Sequence, residues 1–175
     1  EADKIRLFVM NLKTGEKKEY TKDFDQNVGG LAWADDNTIY FISDYHATDE
    51  IYKLTLNDGK IEKLTEGVHN YTSVTPVNDY LIATKVSMSK PAEIYKVDPT
   101  TGKDTELSFV NKGILDQLTM GKVESRWIKT TDNKQMLTWV IYPPHFDPNK
   151  KYPAILYCEG GPQSTVSQFW SYRWN

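Results

Sequence analysis

The feature that most restricts how this chain folds is a repeat. Three segments align with one another: Leu7-Phe8-Val9-Met10-Asn11-Leu12-Lys13-Thr14-Gly15, Ile51-Tyr52-Lys53-Leu54-Thr55-Leu56-Asn57-Asp58-Gly59 and Ile94-Tyr95-Lys96-Val97-Asp98-Pro99-Thr100-Thr101-Gly102. Their glycines lie 44 and 43 residues apart, and the hydroxyl residues that end the charged stretch after each glycine, Thr21, Thr65 and Ser108, keep the same spacing. Within each unit apolar and polar residues alternate over short runs, as a half-buried antiparallel strand requires. Thr14-Gly15, Asp58-Gly59 and Thr101-Gly102 mark hairpin turns, where glycine takes positive φ at little steric cost. Residues 31–41 and 73–83 predict two more hairpins, turning at Asp36-Asn37 and Asn78-Asp79.

Four strands in a unit of about 40–45 residues is the size of one β-propeller blade. Helical and leucine-rich repeats have other periods, and the competing reading is an antiparallel sandwich whose segments resemble one another by accident. A little over two units are present, whereas a propeller typically closes with about four to eight blades.

From Lys112 the repeat fails. Val123–Lys129 and residues 136–142 predict a strand pair around Asp132-Asn133, stopped by Pro143-Pro144 because proline has no amide donor. A domain boundary is expected near residues 112–122. Residues 152–158 form a continuous apolar run, read as a strand buried on both faces in the centre of an α/β sheet. Gly160-Gly161-Pro162 follow closely. Two glycines after a buried strand leave backbone amides unobstructed, so a loop there can present an N–H to a developing oxyanion; alone, Gly-Gly-Pro is a common tight turn.

Composition narrows the function. With 21 basic and 24 acidic residues, a net charge of −3 and no long run of like charge, nucleic acid and anionic membranes are not expected partners. The apolar runs at 39–42 and 154–158 fall far short of the roughly 20 residues of a membrane span, so a soluble chain is expected. The single cysteine, Cys158, excludes an internal disulfide and reads as a small core residue. His46, His69 and His145 have no metal-ligand spacing, and Asp35, Asp36 and Asp44 lack that of a calcium loop; no metal and no cofactor are expected. Each histidine reads as solvated or structural. Ser164, Ser167 and Ser171 read as loop or helix-cap residues. Glu1-Ala2-Asp3-Lys4 shows no secretory leader, so either one was removed or the N-terminus lies upstream.

Propeller-like hairpins, then Asp132-Asn133 and Trp139-Val140-Ile141-Tyr142-Pro143-Pro144, then Lys150-Lys151-Tyr152-Pro153-Ala154-Ile155-Leu156-Tyr157-Cys158-Glu159-Gly160-Gly161-Pro162-Gln163 closely resemble the junction between propeller and hydrolase domain in the prolyl oligopeptidase (S9) family. Within it, the run from Cys158 to Ser164 and the tail Phe169-Trp170-Ser171-Tyr172-Arg173-Trp174-Asn175 are most similar to the branch of bacterial dipeptidyl and acylaminoacyl peptidases, the dipeptidyl peptidase 5 type in particular. The resemblance implies a mainly β fold: the last two and a half or so blades of a β-propeller over residues 1–115, then the first strands of a truncated α/β-hydrolase domain over 116–175. It implies a serine exopeptidase that releases dipeptides or blocked residues from the N-termini of short peptides, with its Ser, Asp and His beyond residue 175. No Gly-x-Ser-x-Gly occurs in the chain, which is therefore expected to be inactive alone.

In the oxyanion loop that the resemblance implies, the Gly161 N–H is the donor and Gly160 gives it room. Glu159 stands where relatives often carry histidine or tyrosine; an ionised carboxylate cannot donate a hydrogen bond, so Glu159 either orients the loop or faces the substrate's amino group. The aromatic tail packs a first hydrolase helix against its sheet or, alternatively, walls the substrate. The resemblance allows a homodimer of the parent protein and suggests the periplasm. Two other classes compete: a non-catalytic propeller-like binding or scaffold module, and a different α/β-hydrolase such as an esterase. Blade faces left without neighbours predict that the isolated chain behaves poorly as a monomer. Size-exclusion chromatography with a thermal melt checks this, and a sharp two-state melt of a monomer contradicts it.

Overall fold

A computed structural model describes residues 3–158, 160 and 164–173. Strands β1 (Phe8–Met10) and β2 (Lys17–Glu19) form a two-stranded antiparallel sheet. Strands β3 (Gly29–Asp35), β4 (Thr38–Tyr45), β5 (Thr48–Thr55) and β6 (Lys60–Lys63) make a four-stranded antiparallel meander. A second meander follows in β7 (Asn70–Val77), β8 (Tyr80–Ser87), β9 (Lys90–Val97) and β10 (Asp104–Glu106). One parallel pairing, Asp49 with Asn70, joins the two. After the short helix α1 (Lys112–Leu115), β11 (Val123–Lys129) and β12 (Gln135–Ile141) form a separate hairpin.

The sequence repeat is one hydrogen-bonded device built three times. At its turn the glycine N–H donates to the carbonyl four residues back: Gly15 to Asn11 at 2.8 Å, Gly59 to Thr55 at 2.9 Å and Gly102 to Asp98 at 2.9 Å. The three glycines have φ of 76°, 70° and 70°, the left-handed region that other residues enter only with strain. At the far end the hydroxyl oxygen accepts the N–H of the first residue of the unit: Thr21 from Leu7 at 2.8 Å, Thr65 from Ile51 at 2.9 Å and Ser108 from Ile94 at 2.8 Å. The hydroxyl thus supplies a backbone donor with an acceptor at the edge of the outer strand.

The expected turns at Asp36-Asn37 and Asn78-Asp79 are present, and Asn78 takes φ of 52°. The β4–β5 turn is His46-Ala47, with both residues at positive φ, as a two-residue hairpin needs although neither residue favours it.

Strand β4 explains the layering. Its residues alternate between faces. Ile39 and Phe41 pack with Leu7, Val28, Tyr52 and Leu54 in one buried cluster. Tyr40 packs with Ile51, Tyr71, Val74, Leu81, Ala83 and Val97 in the other. The first meander is therefore covered on both faces, by the β1–β2 unit on one and the second meander on the other, which accounts for its nearly uninterrupted apolar run. Phe24, Phe41 and Tyr52 meet with centroids 5.3–5.6 Å apart.

The run at 152–158 is not a strand. Ile155, Leu156 and Tyr157 are 98%, 82% and 72% exposed, and Cys158 is exposed rather than in a core. A strand apolar on both faces holds only between paired neighbours, and no described strand pairs with this one. The described residues 164–173 likewise contain no helix for the tail to pack.

Gly102 and Gly15 separate two costs of the shared turn. A Cβ on Gly102 would lie 1.9 Å from the Leu64 carbonyl oxygen, whereas one on Gly15 meets nothing within 4 Å. G15A should cost about 1 kcal/mol, the strain of positive φ alone. G102A should cost about 3 kcal/mol, because backbone must also move. Paired denaturation curves check the difference.

Candidate functional site

Of the three residues singled out at the glycine loop, Gly160 is exposed and open, with nothing within 4 Å of a Cβ built on it. Glu159 and Gly161 lie outside the described residues. What the fold does define is how the chain just after this loop is held.

That chain is gripped at consecutive residues. The Val166 carbonyl accepts the Trp139 indole N–H of β12 at 3.0 Å. The Ser167 hydroxyl accepts from Asn70 Nδ2 at 2.9 Å, and the Gln168 N–H donates to Asn70 Oδ1 at 3.2 Å. Gln168 is 1% exposed, and its Oε1 accepts the Met88 N–H from the β8–β9 turn at 3.2 Å. Tyr172 reaches Asn111 through its hydroxyl at 3.2 Å. Asn70 and Gln168 escaped the sequence reading, since a lone amide residue carries no local signal and its partners lie almost a hundred residues away. Of the serines, Ser167 is tied to Asn70 and Ser171 accepts the Arg173 N–H at 3.3 Å, and neither caps a described helix.

A second polar system lies inside the meanders. The buried Glu50 accepts the Thr65 hydroxyl at 2.6 Å and the Gly67 N–H at 3.0 Å. The buried Glu93 takes the same place one unit later, accepting from the Ser108 hydroxyl and from the Asn111 N–H at 2.9 Å. Burial pushes the Glu93 carboxyl up. Hydrogen bonds from Ser108 and from the backbone of Asn111 and Val110 outweigh it and hold the pKa down to about 2. In the first unit Arg6 stands at this position, and it pairs with Asp3 and Glu19. Asp104 accepts from Tyr71 at 2.6 Å and from Lys85; burial pushes its pKa up, and these two bonds bring it below the ordinary value. Asp49 goes the other way, pushed up to about 6 by burial and by the nearby Asp44 and Glu50.

Perturbed carboxyls often mark active sites. Here Glu93 and Asp104 are occupied by the fold's own donors, so they read as structural, and the same kind of contact holds Glu50. The histidines divide similarly: His46 lies against Tyr45 and Trp127, with ring centroids 4.1 and 5.1 Å away, while His69 packs on Tyr71 with its Nε2 3.5 Å from Glu50. His145 lines an open cleft of about 400 Å³ with Met120, Lys122, Glu124, Tyr142, Pro143 and Phe146. Neither Gly160 nor the gripped segment touches that cleft. Among the described residues no group of three or more His, Cys, Asp or Glu side chains could hold a metal, and no helix is long and apolar enough to cross a membrane.

No family model matches the chain. Individual proteins do. Dipeptidyl-peptidase 5 of Porphyromonas gingivalis is 48% identical over 176 residues, a match that takes in 100% of this chain and 26% of that protein. The chain belongs to the S9 peptidase family. Among solved structures, the uncomplexed acylaminoacyl peptidase of Pyrococcus horikoshii superposes with a TM-score of 0.76 at 22% identity, over 96% of this chain and 25% of that one. The β-propeller domain of the Trilobed protease from Pyrococcus furiosus gives 0.52 at 20% identity, over 63% of this chain and 33% of that domain. These likenesses show the fold. The chain spans about a quarter of the length of the curated relatives it matches over its full extent.

Two carboxyls set opposite pH dependences. Glu93 has a folded pKa below its ordinary value, so its contribution is fully present above about pH 4.5 and is lost as pH falls towards 2. E93Q should lower the melting temperature at pH 7 and differ less from the parent chain at pH 2.5. Asp49 has a raised pKa, so its ionisation costs stability as pH rises through about 6. D49N should be neutral near pH 3.5 and stabilising at pH 7.5, by about 1 kcal/mol after allowance for solvent screening. Melting curves across pH check both signs.

Proposed function

We propose that this chain is the stretch of a serine exopeptidase that carries the last blades of a β-propeller, over residues 1–115, and the entry into an α/β-hydrolase domain, over 116–175. The observation that carries the reading is the 48% identity to a dipeptidyl-peptidase along the whole chain. Two four-stranded meanders packed face to face, preceded by the outer half of another such unit, support the propeller part. The end of the repeat after Ser108 supports a change of domain, because a pure propeller would continue repeating.

In this reading a serine elsewhere in the parent protein attacks the peptide carbonyl, a histidine takes its proton and later delivers it to the leaving amine, and an aspartate orients the histidine. The chain's own part is electrostatic. The Gly161 N–H donates to the oxyanion as the tetrahedral intermediate forms, with Gly160 leaving space for the approach; a donor of this kind is worth roughly 10²–10³ in kcat. Glu159 either orients the loop or pairs with the free α-amino group of a short peptide. E159Q distinguishes these roles: KM should rise only for free-amine substrates if it pairs, and kcat should fall equally on free and N-blocked substrates if it orients.

The deciding experiment compares the parent protein with the 175-residue chain, using dipeptidyl chromogenic substrates and a fluorophosphonate probe. The parent should turn over substrate and be labelled and inactivated. The chain alone should do neither, since it has no nucleophile elbow. A parent protein that is neither labelled nor active would leave the propeller as a binding or scaffold module.

A further inference from the structure

We propose that copies of this 175-residue chain join head to tail: the open face of the first repeat unit, carrying Phe8, Met10 and Leu12, receives the open face of the third, carrying Ile94 and Leu107. The contact between copies repeats the one that already joins the units within a copy. The occupant of each face is a second copy of the chain, whatever reaction the parent protein catalyses.

Equivalent positions of the three units show what each face meets. Tyr52 and Tyr95 stand where Phe8 does, and Leu54 and Val97 where Met10 does, at the 44- and 43-residue spacing of the repeat. All four are buried, yet Phe8 and Met10 are 50% and 45% exposed. What covers them belongs to the unit before: Tyr52 and Leu54 pack with Leu7, and Val97 packs with Ile51. Leu7 and Ile51 are one position of the repeat and both are buried, whereas the third residue at that position, Ile94, is 45% exposed. Among the described residues the chain therefore carries both halves of this contact uncovered, the Phe8 half on its first unit and the Ile94 half on its third. Contiguous exposed apolar side chains of this kind mark interaction surfaces.

The turns match in the same way. A Cβ on Gly59 would lie 4.0 Å from the Tyr20 ring, and one on Gly102 would lie against the Leu64 carbonyl. Tyr20 and Leu64 are one position of the repeat; its third member, Leu107, is exposed, and Gly15 is the turn glycine that meets nothing. Leu12 follows the pattern, for its counterpart Leu56 packs against the cluster of Leu7 and Phe41 while Leu12 itself is exposed. A contact between unlike faces is heterologous, so each pairing of two copies leaves one open face at either side and assembly continues. The first unit contributes only β1 and β2, the counterparts of β5 and β6, so the contact between copies is smaller than those within a copy. Small interfaces give weak, reversible association.

The test is the mass of the pure 175-residue chain by sedimentation velocity over a roughly hundredfold range of concentration. F8E/M10E blocks the first face, I94E blocks the second, and L156D, on the exposed apolar run at 152–158, is the control. Every substituted side chain is exposed, so the fold should tolerate the changes. The unsubstituted chain should grow past a dimer as concentration rises. F8E/M10E and I94E should each stay monomeric, because a carboxylate brought into the contact loses its water and gains no partner. Mixed in equal amounts, the two variants should form a 1:1 dimer and nothing larger, since each supplies the face that the other lacks. L156D should behave as the unsubstituted chain does.

A chain that stays monomeric over the whole range overturns the proposal, as do F8E/M10E or I94E variants that still associate alone. A mixture of the two that stays monomeric also overturns it, because a contact between like faces behaves in that way. Association lost in L156D assigns the contact to the apolar run instead and overturns the proposal as well. Circular dichroism establishes that each variant is folded. Should F8E/M10E or I94E fail to fold, L12E and L107E block the same two faces and carry the same comparison.

Discussion

A side-chain hydroxyl that accepts the N–H of the first residue of each repeat unit is the contact on which the rest of this structure depends. Thr21, Thr65 and Ser108 each make it, tying the segment just after an outer strand back to the chain beside it, at Leu7, Ile51 and Ile94. In the second and third units a buried carboxylate, Glu50 or Glu93, accepts the hydroxyl proton and also an N–H from the loop beyond. The hydroxyl is thus donor and acceptor at once, and the glutamate's oxygens are met by hydrogen-bond donors. Loss of the hydroxyl would leave an amide and a carboxylate facing each other's vacated place inside the protein, where unpaired polar groups are most costly.

The same network passes from local geometry to the site. Asn111, which donates to Glu93 through both its N–H and its side-chain amide, also accepts from Tyr172. Asn70 joins the two meanders and holds Ser167 and Gln168. The segment 167–172 is therefore tied to the repeat region by the side-chain amides of Asn70, Gln168 and Asn111. An amide specifies direction as well as proximity. Apolar burial does the complementary work in β4, whose two faces are covered by different neighbours.

Where residues close in sequence decide the geometry, the sequence could be read directly. The hairpins at Gly15, Gly59 and Gly102, the hydroxyl spacing, the turns at Asp36-Asn37 and Asn78-Asp79 and the β11–β12 pair all stand as expected. The His46-Ala47 turn left no signal, because pairing along β4 and β5 forces positive φ on residues that do not prefer it. Residues 152–158 failed for the opposite reason. Their apolar run states a demand for burial, but burial on two faces has to be met by other strands, and among the described residues none meets it. Glu159 and Gly161 remain a reading of the sequence, and the candidate site is legible in the fold only from the residues that hold its far side.

By itself the sequence determined the repeat, its turns, the place where the repeat stops and the kinship with S9 peptidases, because each is a matter of spacing and residue identity along the chain. Only the tertiary structure decided that Glu50 and Glu93 are consumed by the fold rather than free for chemistry, and that Gly102 must be glycine because a carbonyl lies against it. It also decided that Asn70 meets Gln168. These are contacts between residues tens to nearly a hundred positions apart or between neighbouring layers, and a hydrogen bond is fixed by direction and distance in space, which no local pattern encodes.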